Sequence, residues 1–79
     1  MAERWVPCSS SAVSAYSFDE TRGILELVFA ESRMIYDYPC DALLYDEFVR
    51  APSKGRFVNG VLKRHADSRG WTPTPRPFR

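Results

Sequence analysis

The sequence has 79 residues, a length that allows one small hydrophobic core and excludes a second domain of ordinary size. Its hydrophobic content of 44% and aromatic content of 14% exclude a fully disordered chain. No apolar run approaches the roughly 20 residues of a membrane-spanning helix, and the first residues lack the pattern of a signal peptide, so we expect a cytoplasmic protein with no membrane contact.

The charged side chains are divided unevenly along the sequence. Residues 1–50 carry nine acidic and four basic side chains, whereas residues 51–79 carry seven basic side chains and one acidic side chain. The net charge of +1 hides this division. A basic second part attracts an anionic partner such as nucleic acid, or the acidic part of another protein.

Three strands are predicted in the first half of the sequence. Residues 12–19 alternate between apolar and polar side chains, and Gly23 belongs to the turn that follows, where a positive φ favours glycine. Residues 24–30 have a period of two, which is typical of a strand. Residues 34–38 repeat the alternation until Pro39, which cannot donate to a ladder. The pattern predicts a three-stranded antiparallel meander.

Two helices are predicted after the strands. Asp41 is a typical N-cap for a first helix over residues 42–51, and Pro52 ends that helix. Ser53 is the corresponding N-cap of a second helix, which has an apolar stripe on one side and cations on the other. The fold class expected is therefore α+β, with both α-helices packed on one face of the meander.

The last residues have a different character. Pro73, Pro75 and Pro77 exclude a helix and favour an extended, proline-rich C-terminal tail. We therefore expect one domain over residues 1–70 and a flexible tail of prolines and arginines over residues 71–79. Arginines beside aromatic residues make this tail a secondary candidate for contacts with bases or with a protein partner.

Catalysis and metal binding are not expected. The serines at positions 9–11 and His65 lack the glycine-flanked turn that presents a catalytic serine. Cys8 and Cys40 are expected to be free thiols, since two cysteines do not make a disulfide framework. One histidine without a close pair of cysteines gives no ligand set for zinc. We expect a protein that is not an enzyme and that binds no metal or cofactor.

A candidate anion site lies where the two predicted helices meet. Ser53, Lys54 and Gly55 begin the second helix, whose free N–H groups and dipole favour an anion such as phosphate. In the structural alternative, Ser53 caps the helix, Gly55 permits close packing, and the cations are merely solvated. The two interpretations use the same groups, and the sequence leaves both open.

Tyr36 and Tyr38 form the second candidate site. They lie two residues apart on a predicted strand, so their side chains share one face of the sheet. On an exposed face they would form a stacking platform for unpaired bases. Packing against the helices in the core is the alternative use of the same rings.

Four segments between Ser10 and about Leu62 carry a more specific pattern. They are Ser10-Ser11-x-Val13, Leu25-x-Leu27-x-Phe29, Tyr36-Asp37-Tyr38 and Ala51-x-Ser53-x-Gly55-x-Phe57-Val58-Asn59-x-x-Leu62. Together they resemble the serine pair, central strand, Tyr-x-Tyr signature and helix-start stretch of the KTSC domain. This short module is found at the C-terminal end of some lysyl-tRNA synthetases and as free-standing bacterial proteins. The resemblance implies nucleic-acid binding through the family's attachment to a tRNA-handling enzyme.

We therefore expect a small non-catalytic module that binds RNA or single-stranded nucleic acid weakly and electrostatically. Its cationic contacts are expected from Lys54, Arg56, Lys63, Arg64 and Arg69, and its stacking contacts from Tyr36 or Tyr38. The alternative is a protein-interaction module, in which opposite charges join two copies or the tail docks on a partner. Under either interpretation we expect a monomer or a weak homodimer.

Overall fold

The computed structural model of the protein describes residues 4–78. The elements in chain order are β1 (Val6–Pro7), β2 (Val13–Asp19), β3 (Ile24–Phe29), β4 (Met34–Pro39), α1 (Ala42–Arg50), α2 (Lys54–Phe57), a π-helical turn (Val58–Leu62), α3 (Lys63–Ser68) and β5 (Arg76–Pro77). The backbone stays right-handed helical from α2 through the π-helical turn into α3, and we call these residues together the C-terminal helix. No helix within residues 4–78 is long and apolar enough to span a membrane.

The strands form one antiparallel sheet in the order β1-β2-β3-β4-β5. In its centre, Leu27 of β3 lies between Tyr16 of β2 and Tyr36 of β4. The three strands predicted from alternation are present as β2, β3 and β4. Gly23 takes the expected positive φ, 67°, in the turn between β2 and β3. The α+β class, with an antiparallel sheet and two helices, is therefore confirmed.

The prediction of only three strands is wrong, because each edge of the sheet carries one further short strand. Val6 of β1 pairs with Tyr16, and Arg76 of β5 pairs with Ile35. A strand of two residues is too short to show a period of two, so the alternation of side chains does not reveal it.

The prediction of an extended tail is wrong for Arg76 and Pro77, which belong to the sheet. Pro77 is compatible with this position, since an edge strand needs no N–H group on its outer side. Trp71 is docked as well, because its indole N–H donates to the main-chain carbonyl of Asp37 over 2.8 Å. Residues 1–3, which the predicted domain includes, and Arg79 of the predicted tail lie outside the described residues.

Both helices begin at the predicted caps. The carboxylate of Asp41 accepts a hydrogen bond from the N–H of Leu44 over 2.8 Å, and α1 ends at Arg50, with Ala51 as its C-cap just before Pro52. The hydroxyl of Ser53 accepts from the N–H of Arg56 over 3.3 Å at the start of the C-terminal helix. Each bond satisfies one of the backbone donors that a helix start leaves free.

The C-terminal helix ends in a turn that directs the chain back to the sheet. Gly70 has a φ of 67°, and its N–H donates to the carbonyl of Asp67 over 3.0 Å. The N–H of Trp71 donates to the carbonyl of Ala66 over 2.8 Å. This pair of bonds is a Schellman motif, which favours glycine at the left-handed position. It places Trp71 where its indole reaches β4.

The helices cover one face of the sheet, as predicted, and the hydrophobic core lies between the two layers. A Cβ on Gly55 would lie 3.0 Å from the Cβ of Ala12, so glycine permits the close approach of the C-terminal helix to the start of β2. The buried residues of the core are Val13, Tyr16, Leu25, Leu27, Tyr38, Cys40, Phe48, Val58, Leu62 and Ala66.

The other face of the sheet is closed by residues near both ends of the described chain. Glu26 lies on this face, yet it is only 4% exposed. Arg4 donates to one of its carboxylate oxygens over 2.7 Å, and Arg76 donates to the other over 2.5 Å. The rings of Trp5 and Phe78 meet edge to face, with centroids 5.4 Å apart.

Candidate nucleic-acid interface

The C-terminal helix displays cations that have no acidic partner within residues 4–78. Arg56, Lys63 and Arg64 of this helix are exposed, as is Arg69 directly after it, and none of the four forms an ion pair in this part of the chain. The arginines that do form ion pairs are Arg4, Arg22, Arg50 and Arg76. The basic character predicted for the second helix is therefore present at its surface.

Arg33 was not among the predicted contacts, but it belongs to the same class. It is exposed in the turn between β3 and β4 and forms no ion pair with the described residues. The preceding residues of this turn, Glu31 and Ser32, line a hollow that also contains residues of the C-terminal helix. A single arginine in a turn of the acidic half of the sequence does not indicate that its charge stays unpaired.

Lys54 differs from the other predicted cations because the fold already uses its charge. Its ammonium group donates to the carbonyls of Val49 and Ala51 over 3.0 and 2.8 Å. It also lies 5.5 Å from the centroid of the Phe48 ring. A cation at the end of α1 satisfies free carbonyls and interacts favourably with the helix dipole. Lys54 therefore ties the start of the C-terminal helix to the end of α1.

The predicted anion site consists of Ser53, Lys54 and Gly55. In the structure, Ser53 caps the helix and Gly55 allows close packing, as the structural alternative predicts. Beside it lies a polar hollow of about 300 Å³, lined by Cys8, the serines of residues 9–11, Ser53 and Lys54. Anion binding in this hollow stays a prediction.

The two tyrosines have different environments although they share one face of β4. Tyr38 is 2% exposed and belongs to the core, so its ring offers no face for stacking. Burial, and to a smaller extent the neighbouring Tyr36, raises the pKa of the Tyr38 hydroxyl. Tyr36 is half-buried and lies edge to face with Phe29, with centroids 5.0 Å apart. Of the two predicted stacking residues, Tyr36 keeps the accessible ring.

Tyr36 and Tyr38 line a groove between β4 and the C-terminal helix, which we call the tyrosine groove. Its volume is about 380 Å³, and its lining includes Ser11, Phe29, Glu31, Asn59 and Lys63. A second hollow of about 250 Å³ adjoins it at Tyr36, Tyr38 and Lys63. The fold thus brings Lys63 together with both predicted tyrosines.

Other predicted contacts lie away from the tyrosine groove. Arg56 lines a shallow hollow of about 400 Å³ with Pro52 and Phe57, at the start of the C-terminal helix. Arg69 lines a hollow of about 250 Å³ with Glu20 and Arg22, beyond the end of that helix. Asn59 and Ser11 were not predicted, because the two groups come from elements whose contact only the tertiary structure reveals.

The tail is a secondary candidate, and the charged and aromatic side chains of its described residues make contacts within the fold. One guanidinium nitrogen of Arg76 donates to both carboxylate oxygens of Asp37 at 2.9 Å, and the other nitrogen bonds to Glu26. These interactions, the hydrogen bond to Asp37 foremost, raise the pKa of Arg76. Phe78 contacts Trp5, and Trp71 bonds to β4. The side chains of Arg76, Phe78 and Trp71 therefore serve the fold in this structure.

The structure gives environments for Ser10 and for the two cysteines, the residue types that catalysis or metal binding would use. The hydroxyl of Ser10 accepts from the N–H groups of Ala12 and Val13. Cys8 and Cys40 are free thiols, as expected, and burial raises the pKa of Cys40 to about 12. Over residues 4–78, no group of three or more His, Cys, Asp or Glu side chains is placed to hold a metal ion.

Comparison with known proteins supports the resemblance seen in the sequence. The family model described as KTSC domain matches residues 9–65. A protein of Tsukamurella paurometabola is 37% identical over 57 residues, which make up 72% of this chain and 85% of that protein. The crystal structure of a KTSC domain protein from Yersinia pestis is similar, with a TM-score of 0.73 and 29% identity, over 99% of this chain and 100% of that chain.

Proposed function

The chain belongs to the KTSC domain family, and from this premise we propose that it is a small non-catalytic module that binds RNA or single-stranded nucleic acid. Binding is weak, takes place in the cytoplasm and is mainly electrostatic. The C-terminal helix supplies the contacts to phosphate, chiefly through Lys63 and Arg64.

The observation that carries this proposal is the set of unpaired cations on one helix. The sequence contains ten acidic side chains, so partners for Lys63 and Arg64 exist within the chain. Both residues nevertheless stay exposed and without an ion pair among the described residues. Cations in this state can displace the counterions of a phosphate backbone without first breaking an internal contact.

The test is a fluorescence-anisotropy titration of labelled single-stranded RNA and of tRNA, at low and at near-physiological salt. We expect affinity that falls steeply with salt and a loss of at least about tenfold in a Lys63→Glu/Arg64→Glu variant. The matched control is Arg22→Glu/Arg50→Glu, which makes the same change in net charge outside the C-terminal helix. Equal losses in both variants, or no binding at low salt, would refute the proposal.

A protein-interaction module is the second candidate, and the surface of α1 favours it. Leu43 is 70% exposed on this helix, which also carries the exposed acidic residues Asp46 and Glu47. An apolar side chain beside acidic groups suits contact with the basic C-terminal helix of a second copy. Sedimentation velocity over a range of protein concentrations tests this candidate. A monomer at all concentrations at low salt would exclude self-association.

A further inference from the structure

We propose that the tyrosine groove receives one unpaired base of the bound strand, with the base beside the Tyr36 ring and its polar edge toward the Tyr38 hydroxyl and Asn59. This inference rests on the proposed function and identifies which part of the nucleic acid binds in the groove. The flanking phosphates stay outside, where Arg64 and the other exposed cations of the C-terminal helix contact them.

The first observation is the state of the Tyr38 hydroxyl. Tyr38 is 98% buried, yet its hydroxyl makes no hydrogen bond within residues 4–78. No fully buried side-chain nitrogen or oxygen among these residues lacks a partner. The hydroxyl of Tyr38 is therefore not fully enclosed by the protein, and Tyr38 lines both the tyrosine groove and the hollow that adjoins it. A polar group at the floor of a groove, without a protein partner, is available to a ligand.

The second observation is the balance of charge in the groove. Its lining contains one ammonium group, that of Lys63, and one carboxylate, that of Glu31. Opposite charges in one groove give no preference for an anion, so a phosphate group gains little by entering it. A base is neutral and polar at its edge, and it suits this lining better. Arg64, an unpaired cation of the C-terminal helix, does not line the groove, and phosphates beside it remain solvated.

The third observation is the combination of size and aromatic surface. A volume of about 380 Å³ falls within the range of about 300–1,000 Å³ that is typical of small-molecule sites. Tyr36 and Phe29 place two aromatic rings in the lining. Stacking of bases on aromatic rings is a main source of affinity in single-strand binding proteins, and the accessible Tyr36 ring suits one such base.

The polar groups also predict which bases the groove prefers. The carboxylate of Glu31 accepts hydrogen bonds, and the amide of Asn59 can both accept and donate. Both side chains therefore suit a base with an exocyclic amino group, and adenine in particular offers asparagine an adjacent donor and acceptor. Uracil also offers an adjacent donor and acceptor at N3–H and O4, but it lacks the amino group whose second N–H could donate to Glu31. We expect strands of adenine to bind more tightly than strands of uracil.

The experiment compares three probes with the full chain at low salt. They are single-stranded oligo(A), oligo(U) and a ribose-phosphate strand without bases, each of about ten nucleotides. Tyr38→Phe removes only the hydroxyl and leaves the ring in the core. The matched control is Tyr45→Phe, since Tyr45 stacks on Phe18 and does not line the groove. Asn59→Ala is the second variant, because Asn59 is exposed and its loss does not threaten folding.

We expect Tyr38→Phe and Asn59→Ala each to weaken oligo(A) binding by about three- to tenfold, as for one lost hydrogen bond, and to leave the abasic strand unaffected. The abasic strand should bind at least about fivefold more weakly than oligo(A). Salt-sensitive binding that is equal for oligo(A) and the abasic strand would leave the proposed function standing and overturn the groove inference. No binding of any strand at low salt would refute both.

Discussion

The indole N–H of Trp71 donates a 2.8 Å hydrogen bond to the main-chain carbonyl of Asp37, and this contact fastens the end of the C-terminal helix to β4. The same residue, Asp37, holds Arg76 through its carboxylate. One strand residue therefore fixes two points of the chain beyond the helix, through its backbone and through its side chain.

Replacing Trp71 by phenylalanine tests the first of these contacts. The variant keeps an aromatic ring but loses the hydrogen bond and leaves a partly buried carbonyl without its donor. We expect a decrease of about 1–2 kcal/mol in the free energy of unfolding, measured by urea denaturation. Thr72→Ala is the control, since Thr72 is exposed and should change stability by less than about 0.5 kcal/mol. Equal stability of wild type and Trp71→Phe would show that the bond contributes nothing.

Glu26 is the buried centre of the ion pairs on the second face of the sheet. Glu26→Gln removes its charge and leaves Arg4 without its carboxylate partner, whereas Arg76 retains Asp37. We expect a loss of about 1–3 kcal/mol, which is below the value for fully buried pairs because both arginines are partly exposed. Chemical denaturation measures the loss, with the exposed Glu47→Gln as control. A change in Glu26→Gln no larger than in the control would contradict the expected contribution.

We expect opposite changes in stability when two glycines of the C-terminal helix are replaced by alanine. At Gly55 the new Cβ would lie 3.0 Å from the Cβ of Ala12, and at Gly60 nothing lies within 4 Å. Gly60→Ala should stabilise the protein by about 0.5–1 kcal/mol through helix propensity. Gly55→Ala should destabilise it by about 1 kcal/mol, because overpacking outweighs the same gain. Thermal unfolding of the two variants gives the comparison, and a gain at both positions would show that β2 can move away.

Cys40 predicts a loss of stability at alkaline pH. Burial raises its pKa from the ordinary 9.0 to about 12 in the folded protein, so the unfolded chain loses the thiol proton first. The stability from the protonated thiol is complete below pH 9 and is lost as the pH rises toward 12, by at most about 1.4 kcal/mol per pH unit. The free energies of unfolding of wild type and Cys40→Ala, measured by denaturation and plotted against pH, should differ in slope only in this window. Equal slopes there would contradict the raised pKa of Cys40.

The sequence predicted the central part of the fold because its signals are local. Alternation marks β2 to β4, and Asp41 and Ser53 are cap residues whose function depends on the next few backbone groups. The edge strands depend instead on pairing between distant segments, and two residues carry no periodicity. The burial of Glu26 depends on the same distant segments, since Arg4 and Arg76 bind its carboxylate.

The candidate site was predicted less completely than the fold. The exposed cations of the second helix follow from its amphipathic pattern, since Lys63 and Arg64 lie outside the apolar stripe. The difference between Tyr36 and Tyr38 does not follow from alternation, which assigns both rings to one face and cannot say how far the helix covers each. Asn59 joins them only through the packing of the C-terminal helix against β4.

The contact between Trp5 and Phe78 has a practical consequence for protein engineering. The two rings meet at 5.4 Å, so the beginning and end of the described chain lie side by side. A short linker can therefore join them, and the chain can be reopened at the exposed turn of residues 20–22. Such a circular permutant keeps the tyrosine groove free, because the groove lies on the opposite face of the sheet. Immobilising the protein on a solid support through a position near Trp5 or Phe78 likewise leaves the groove exposed to solution.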